Sequence, residues 1–155
     1  MASTFISHLV WSGALQPART VESFSRDLTV SVGGVTLPMS AAPDFHGDAL
    51  RANPEQLFVA SLSACQALTY LFLAARSTIA VVGYTDDAIG TLGMQDGRMR
   101  MTDVVLRPRI VVADEATIPG ARELVDKAHR VCFIANSVRC AVEIEPRVEA
   151  AARAA

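Results

Sequence analysis

One long apolar segment limits what this chain can fold into more than any other feature of its sequence. Nineteen consecutive uncharged residues span positions 57–75, and one cysteine, Cys65, lies in their middle. Apolar residues recur along the run at three- and four-residue steps, as in a helix, but they also fill the other faces. A helix that is apolar all round has to be covered all round, so we predict a buried central helix. A cysteine in that setting is either a small space-filling residue or a protected reagent.

Both ends of this segment carry residues that delimit helices. Asn53 can cap the helix, Pro54 suits the first helical position, and Gln56 has the spacing of a capping box. Arg76 places a positive charge where the helix dipole favours one. The run also has the length of a membrane span, for which roughly 17–25 residues suffice. Because polar residues interrupt it and no basic segment precedes the apolar N-terminal residues, we expect a soluble cytoplasmic protein without a signal sequence.

The composition favours one domain whose partners are small molecules or other protein chains. The 155 residues carry a net charge of −2, with six Phe, two Tyr and one Trp. No basic block is present, which argues against a nucleic-acid or polybasic membrane surface. The length predicts a single domain over residues 1–155. Hydrophobic residues make up 51% of the chain, which predicts that a second subunit covers part of the apolar surface.

The segments around the apolar helix predict strands and one further helix. In chain order, the patterns predict a strand over 5–13, a hairpin over 28–37, strands over 79–94 and 97–112, a helix over 121–131 and a strand over 141–145. Pro108 interrupts one of these strands, which favours an edge position or a bulge. The order of elements predicts an α+β fold, in which a mainly antiparallel sheet packs with the long central helix.

Three cysteines, Cys65, Cys132 and Cys140, make an odd number that argues against a structural disulfide framework. Cys132 lies near the end of the second predicted helix, beside His129 and Arg130, and neighbouring basic groups stabilise a thiolate. If the two helices pack together, Cys65 and Cys132 can form a reversible disulfide. The alternative is that Cys65 only fills space. His129 and Cys132 have the spacing of two metal ligands, but one pair does not define a site, and we expect neither metal nor cofactor.

A set of motifs resembles the osmotically inducible protein C (OsmC) and organic hydroperoxide resistance (Ohr) family. The segment 53–65 is followed by Ala128–Cys132 and by Ala135 and Asn136, and segments 25–27, 45–48 and 84–90 extend the resemblance to nearly the whole chain. The resemblance implies a thiol peroxidase that reduces organic hydroperoxides. It further implies an intertwined homodimer with active sites at the subunit interface, recycled by an outside dithiol of the lipoyl type.

The resemblance also implies roles for four residues. Cys65 matches the peroxidatic cysteine and Cys132 the resolving one. Glu55 matches the glutamate at the start of the motif helix. Arg26 is our match for the catalytic arginine, and Arg19 is the less favoured candidate. In this mechanism the arginine stabilises the Cys65 thiolate, and Glu55 holds the guanidinium in place.

Helix geometry restricts how Glu55 and Cys65 can share a site. On one continuous helix, their ten-residue separation amounts to roughly 15 Å along the axis and about 80° around it. A shared site therefore requires Glu55 of a second subunit, or a break in the helix. Otherwise Glu55 is only a favourable acid in a helix first turn.

Some residues depart from the family pattern, and other functions stay open. Phe133 follows Cys132 where many relatives carry proline, and Cys140 matches no motif, so we interpret it as an ordinary strand residue. Apolar residues near the motifs predict a preference for alkyl or fatty-acid peroxides over hydrogen peroxide, namely Leu57, Phe58, Phe45 and Phe133. The alternatives are a non-catalytic dimer that binds an apolar ligand, and a thiol hydrolase that uses Cys65 with His129.

Overall fold

The computed structural model describes residues 2–13, 20 and 23–152. The chain forms two compact units, Met1–Leu57 and Phe58–Ala155. The single domain over residues 1–155 stays a prediction. Arg19, the less favoured arginine, lies outside the described residues.

The first unit contains a three-stranded antiparallel sheet in the order β1-β2-β3. Its strands are β1 (Ser7–Val10), β2 (Leu28–Val32) and β3 (Val35–Met39). Gly33 and Gly34 join the last two strands with φ angles of 54° and 82°, which suits a tight hairpin turn. The predicted hairpin is therefore confirmed, whereas the first strand is shorter than the predicted segment 5–13.

The long helix α1 (Pro54–Arg76) begins where its capping residues predict. The Asn53 side-chain oxygen accepts a hydrogen bond from the Gln56 N–H at 2.8 Å, and the Gln56 side-chain oxygen accepts one from the Asn53 N–H at 3.1 Å. The predicted capping box is confirmed in both directions.

Only one face of α1 is buried. The buried positions follow four-residue steps, namely Leu62, Gln66, Tyr70 and Ala74. On another face, Leu68 and Phe72 are 69% and 59% exposed. The prediction of a helix buried all round is therefore wrong for the single chain, because one chain covers one stripe of α1 and leaves other apolar positions in solvent.

Among the described residues, α1 alone has the length and hydropathy of a membrane span. The mean hydropathy of its most apolar window is 1.7, and 22% of that window is buried within the protein. The core helix of a soluble protein satisfies the same criteria of length and composition.

The second unit consists of α1 from Phe58 onward, a second helix and two mixed sheets. Among the described residues these sheets have the orders β4-β7-β9 and β5-β6-β8. Pairing is antiparallel between β4 and β7 and between β5 and β6, and parallel between β6 and β8 and between β7 and β9. The elements are β4 (Val81–Asp86), β5 (Ile89–Gln95), β6 (Arg98–Leu106), β7 (Pro108–Val112), α2 (Ile118–Val131), β8 (Ala141–Ile144) and β9 (Arg147–Ala150).

The α+β fold with mainly antiparallel pairing is confirmed, but three strand predictions need correction. Segments 79–94 and 97–112 each form two strands, and β9 was not predicted. Pro108 lies in the middle strand of its sheet rather than at an edge. Proline is tolerated there because it is the first residue of β7, where the chain leaves one sheet for the other.

The chain passes between the two sheets of the second unit at two short connections. Arg107 alone separates β6 from β7, while Glu145 and Pro146 separate β8 from β9. The side chains of Arg107 and Glu145 form an ion pair at 2.8 Å. Asp86 accepts hydrogen bonds from the Arg107 N–H at 2.7 Å and from the Ser63 hydroxyl at 2.5 Å. These hydrogen bonds link the end of β4 to Arg107, between β6 and β7, and to α1.

The buried stripe of α1 contacts two apolar clusters of the second unit. Leu62 packs with Val104 and Leu106 of β6. Tyr70 and Ala74 belong to a larger cluster that includes residues of α2 and β7, among them Ile110, Val112, Leu124, Val125 and Ala128. These contacts hold the middle of α1, and with it Cys65, between the two clusters.

Candidate active site

Two polar side chains attach α1 to α2 beside Cys65. The Gln66 amide donates to the Val125 carbonyl at 3.2 Å, and the Tyr70 hydroxyl donates to the Ala121 carbonyl at 3.2 Å. Gln66 and Tyr70 are one turn apart on α1, and their acceptors are one turn apart on α2. The two helices therefore pack together, which is the condition under which we predicted that the two cysteines meet.

The structure brings Cys65 and Cys132 together as free thiols. Cys65 is half-buried in the middle of α1, whereas Cys132 is buried at the C-terminal end of α2. The two thiols are near enough for each to shift the pKa of the other. Neighbouring thiols on two packed helices can form a disulfide when their Cα atoms come within roughly 4.4–6.8 Å of each other.

Hydrogen bonds to Cys65 favour its thiolate. Burial by itself raises the pKa of the Cys65 thiol, but the backbone N–H of Ile134, the Cys132 thiol, the backbone N–H of Phe133 and the Thr69 hydroxyl all lower it. The hydrogen bonds outweigh burial, so the pKa of Cys65 lies below its ordinary value. Donors that converge on a sulfur stabilise its charged form, and the thiolate is the nucleophilic form of cysteine.

Cys132 is held in the opposite protonation state. Burial raises the pKa of the Cys132 thiol, and the hydrogen bond to Cys65 and the negative charge of Cys65 raise it further. Burial also raises the pKa of the nearby Tyr84 hydroxyl, with smaller contributions from Asp86, Tyr70 and Cys132. The pKa of Cys132 is thus shifted toward the neutral thiol, whereas that of Cys65 is shifted toward the thiolate.

The turn after Cys132 supplies two of these donors. The helix α2 ends at Val131, its C-cap Cys132 is extended with φ and ψ of −67° and 117°, and a short 3-10 turn, Ala135–Ser137, follows. The Phe133 side chain is 80% exposed, and the Phe133 backbone N–H contributes to lowering the pKa of the Cys65 thiol.

Arg26 and Glu55, the other two predicted site residues, belong to the first unit. Arg26 lies just before β2, where its guanidinium donates to the Phe24 carbonyl at 2.8 Å and stacks 4.1 Å from the centroid of the Phe24 ring. Glu55 lies in the first turn of α1. One oxygen of its carboxylate, Oε2, is buried and has no hydrogen-bond partner among the described residues. Because α1 is continuous, the ten-residue separation between Glu55 and Cys65 holds.

The remaining candidates from the sequence are Cys140 and His129. Burial raises the pKa of the Cys140 thiol, and the Asp103 charge adds to this effect. Cys140 lines two cavities of about 480 and 470 Å³ in the second unit, and Cys65 lines neither of them. His129 has a buried Nδ1 without a partner in the described part of the chain. Across residues 2–13, 20 and 23–152, no group of three metal-ligating side chains could hold a metal ion.

Three contributors to the site were not identified from the sequence. Thr69 lies one turn after Cys65, and this four-residue spacing was the signal that could have identified it. The N–H groups of Phe133 and Ile134 left no signal, because every residue except proline carries one. Their contribution depends on the shape of the turn after α2.

The family of this chain follows from comparison with known proteins. The OsmC-like protein family matches residues 46–147. Since this match covers more than half of the 155 residues, the chain belongs to the OsmC-like protein family. A search of curated proteins found no match to it.

Solved structures with the same fold align with almost all of this chain. An OsmC-like protein of unknown function from Vibrio cholerae O1 biovar eltor is 33% identical, with a TM-score of 0.85 over 94% of this chain and 99% of the other. An organic hydroperoxide resistance protein from Elizabethkingia anophelis is 22% identical, with a TM-score of 0.71 over 97% and 99%. One from Legionella pneumophila is 21% identical, with a TM-score of 0.69 over 98% and 99%.

Proposed function

We propose that this protein is a cysteine-based peroxidase that reduces organic hydroperoxides to alcohols. The observation that carries the proposal is the pair of neighbouring free thiols whose pKa values shift in opposite directions, Cys65 toward the thiolate and Cys132 toward the neutral thiol. A peroxidase of this kind needs one nucleophilic sulfur and one proton-bearing sulfur beside it. Membership of the OsmC-like family and the organic hydroperoxide resistance proteins among the structural neighbours support the same function.

The proposed reaction has two steps. The Cys65 thiolate attacks one peroxide oxygen, the O–O bond breaks, and the alkoxide takes a proton to leave as an alcohol. Cys65 becomes a sulfenic acid, which condenses with the Cys132 thiol to form a disulfide and release water. An outside dithiol, for which we propose a lipoyl type, then reduces the disulfide by thiol exchange. We also propose a cytoplasmic location, where reducing conditions keep cysteines as thiols.

Arg26 and Glu55 complete this proposal as electrostatic residues. An arginine beside Cys65 would stabilise both the thiolate and the negative charge that develops on the departing oxygen. Glu55 would hold that guanidinium through paired hydrogen bonds. The buried, unpartnered Oε2 of Glu55 in the described residues supports a role in which it receives a partner from outside its own chain.

A homodimer is the assembly that we propose for this function. The exposed apolar positions of α1, such as Leu68 and Phe72, offer a surface that a second α1 would cover. A second copy would bring its own Glu55 to a site that the Glu55 of the same chain cannot reach. Val131 and Phe133, 51% and 80% exposed on either side of Cys132, support the predicted preference for apolar peroxides, because burial of the alkyl group stabilises the complex.

A thiol titration tests the proposal directly. After one equivalent of cumene hydroperoxide per chain, we expect the loss of two thiols, and peptide mass analysis should place the disulfide between Cys65 and Cys132. Cys65→Ser should abolish peroxide consumption, and Cys132→Ser should allow one turnover but no recycling by dithiol. Cys140→Ser is the matched control and should behave like the parent. Retention of all thiols would contradict the proposal and favour the non-catalytic dimer that binds an apolar ligand.

A further inference from the structure

The cavity of about 480 Å³ beside Cys140 is lined by three arginines, Arg98, Arg100 and Arg139, and we call it the arginine cavity. None of the described residues that line it is acidic. The chain as a whole carries a net charge of −2, so this concentration of positive charge is local. Guanidinium groups around one cavity repel one another and attract an anion. The lining therefore favours a negatively charged ligand.

The pairing of β6 explains why these arginines meet. β6 pairs with β5 from Arg98 onward, whereas its pairing with β8 covers only Asp103–Leu106. The start of β6 therefore has a neighbouring strand on one side only. Residues 137–140 lead into β8 on the other side and form the opposite wall of the arginine cavity. The parallel pairing of β6 with β8 thus brings together arginines from two distant segments of the chain.

The three arginines differ in the partners that they already have. The Arg100 guanidinium donates to the Asp96 carboxylate at 2.7 Å and to the Gln95 carbonyl at 3.0 Å. In the part of the chain that the structure describes, the side chains of Arg98 and Arg139 form no ion pair or hydrogen bond. A guanidinium has five N–H donors in a fork that matches a carboxylate. Arg98 and Arg139 thus retain their donors for a ligand.

Much of the remaining wall of the arginine cavity is apolar, and it consists of Phe58, Met99, Met101 and Val138. Phe58, Met101 and Val138 also pack against the core cluster around Leu62, so this wall is part of the packed structure. The volume of about 480 Å³ falls within the range of small-molecule sites, about 300–1,000 Å³. An alkyl group that leaves water for this wall gains free energy.

We propose that the arginine cavity binds a small amphiphilic carboxylate. Its carboxylate group pairs with Arg98 and Arg139, and its apolar body packs on the wall that includes Phe58. Cys65 does not line this cavity. The inference therefore goes beyond the proposed function and does not depend on it.

Titration calorimetry with octanoate tests this site in the reduced full-length chain at neutral pH. The matched ligands are 1-octanol, which lacks the charge, and acetate, which lacks the apolar chain. Octanoate should bind about tenfold more tightly than either of them, or better. Arg98→Gln and Arg139→Gln should each weaken octanoate binding by about two- to fivefold, because ion pairs of exposed groups are weak. The double variant should bind octanoate no more tightly than 1-octanol.

An arginine outside the cavity and a reporter inside it make the test specific. Arg122 is exposed on α2 and does not line the arginine cavity, so Arg122→Gln removes the same charge and should leave octanoate affinity unchanged. Cys140 lines the cavity, so bound octanoate should slow its alkylation by iodoacetamide. Peptide mass analysis should show that the alkylation rate of Cys65 does not change.

Four results would overturn the inference. They are the absence of octanoate binding, equal octanoate affinity in the parent and the double variant, an equal loss of affinity in Arg122→Gln, and protection of Cys65 instead of Cys140. No step of the experiment uses peroxide. A chain that binds octanoate as proposed but consumes no peroxide would contradict the proposed function alone, so the two failures are distinguishable.

Discussion

Replacement of Phe133 by proline removes a backbone N–H that lowers the pKa of the Cys65 thiol. The Phe133 side chain is 80% exposed, so its loss uncovers little apolar surface. The φ and ψ of Cys132, −67° and 117°, lie close to the range that a residue before proline adopts. The Phe133 carbonyl can still accept the hydrogen bond that the Ser137 hydroxyl donates at 2.7 Å. The predicted effect of Phe133→Pro is therefore a rise in the pKa of the Cys65 thiol.

The size of the rise follows from the strength of one hydrogen bond. A bond to a charged group contributes about 1.5–3 kcal/mol, and a neutral one about 0.5–1.5 kcal/mol. Cys65 is only half-buried, so water screens the interaction and replaces part of it, and the lower range applies. At about 1.4 kcal/mol per pKa unit, we expect the pKa to rise by about half a unit to one unit. Because a higher pKa leaves less thiolate at neutral pH, alkylation there should slow by about three- to tenfold.

Phe133→Ala is the matched control, because it removes the ring and keeps the N–H. Alkylation of Cys65 with pH, followed by peptide mass analysis, should give the parent midpoint for Phe133→Ala and a higher one for Phe133→Pro. Equal midpoints in the two variants would refute the reasoning, since they would show that the Phe133 N–H does not stabilise the thiolate. A lower midpoint in Phe133→Pro would refute it as well.

Two further predictions concern the packing that holds Cys65 in place. Leu62 is fully buried against Val104 and Leu106, so Leu62→Ala should lower the free energy of unfolding by about 2–5 kcal/mol in urea denaturation; a loss below about 1 kcal/mol would contradict the assigned packing. The buried Tyr70 hydroxyl, whose pKa burial raises to about 12, donates to the Ala121 carbonyl. Tyr70→Phe should cost about 0.5–1.5 kcal/mol by the same assay, and an unchanged stability would show that this hydrogen bond contributes nothing.

Features of the fold that depend on neighbouring residues were predictable from the sequence. Features that depend on the pairing of strands far apart in the chain were not. The capping box of Asn53 and Gln56 and the turn at Gly33 and Gly34 depend on neighbouring residues, and both predictions are confirmed. Pro108 was placed wrongly because its tolerance depends on which strands flank β7, and the local pattern does not contain that information. The prediction that α1 is buried all round is wrong for the single chain, because hydropathy indicates that a face avoids water without indicating which chain covers it.

Some features of the candidate site were also predictable from the sequence, and others were not. The positions of Cys65 near the middle of one helix and Cys132 at the end of another were predictable, but their proximity depends on the packing of α1 on α2, which the hydrogen bonds of Gln66 and Tyr70 hold. The backbone donors to Cys65 were not predictable, because they arise from the shape of a turn rather than from residue type. The roles of Arg26 and Glu55 stay predictions.

The crossing of strands at Arg107 and Glu145 has a consequence for how the second unit opens. Neither sheet can lose its strands while the other stays intact, because the chain runs from β6 into β7 and from β8 into β9 with at most two residues between. Amide protons in the middle strands of both sheets should therefore exchange with solvent through the same cooperative opening. The residues of β6 and β7 that pack against the buried stripe of α1 are therefore expected to open together.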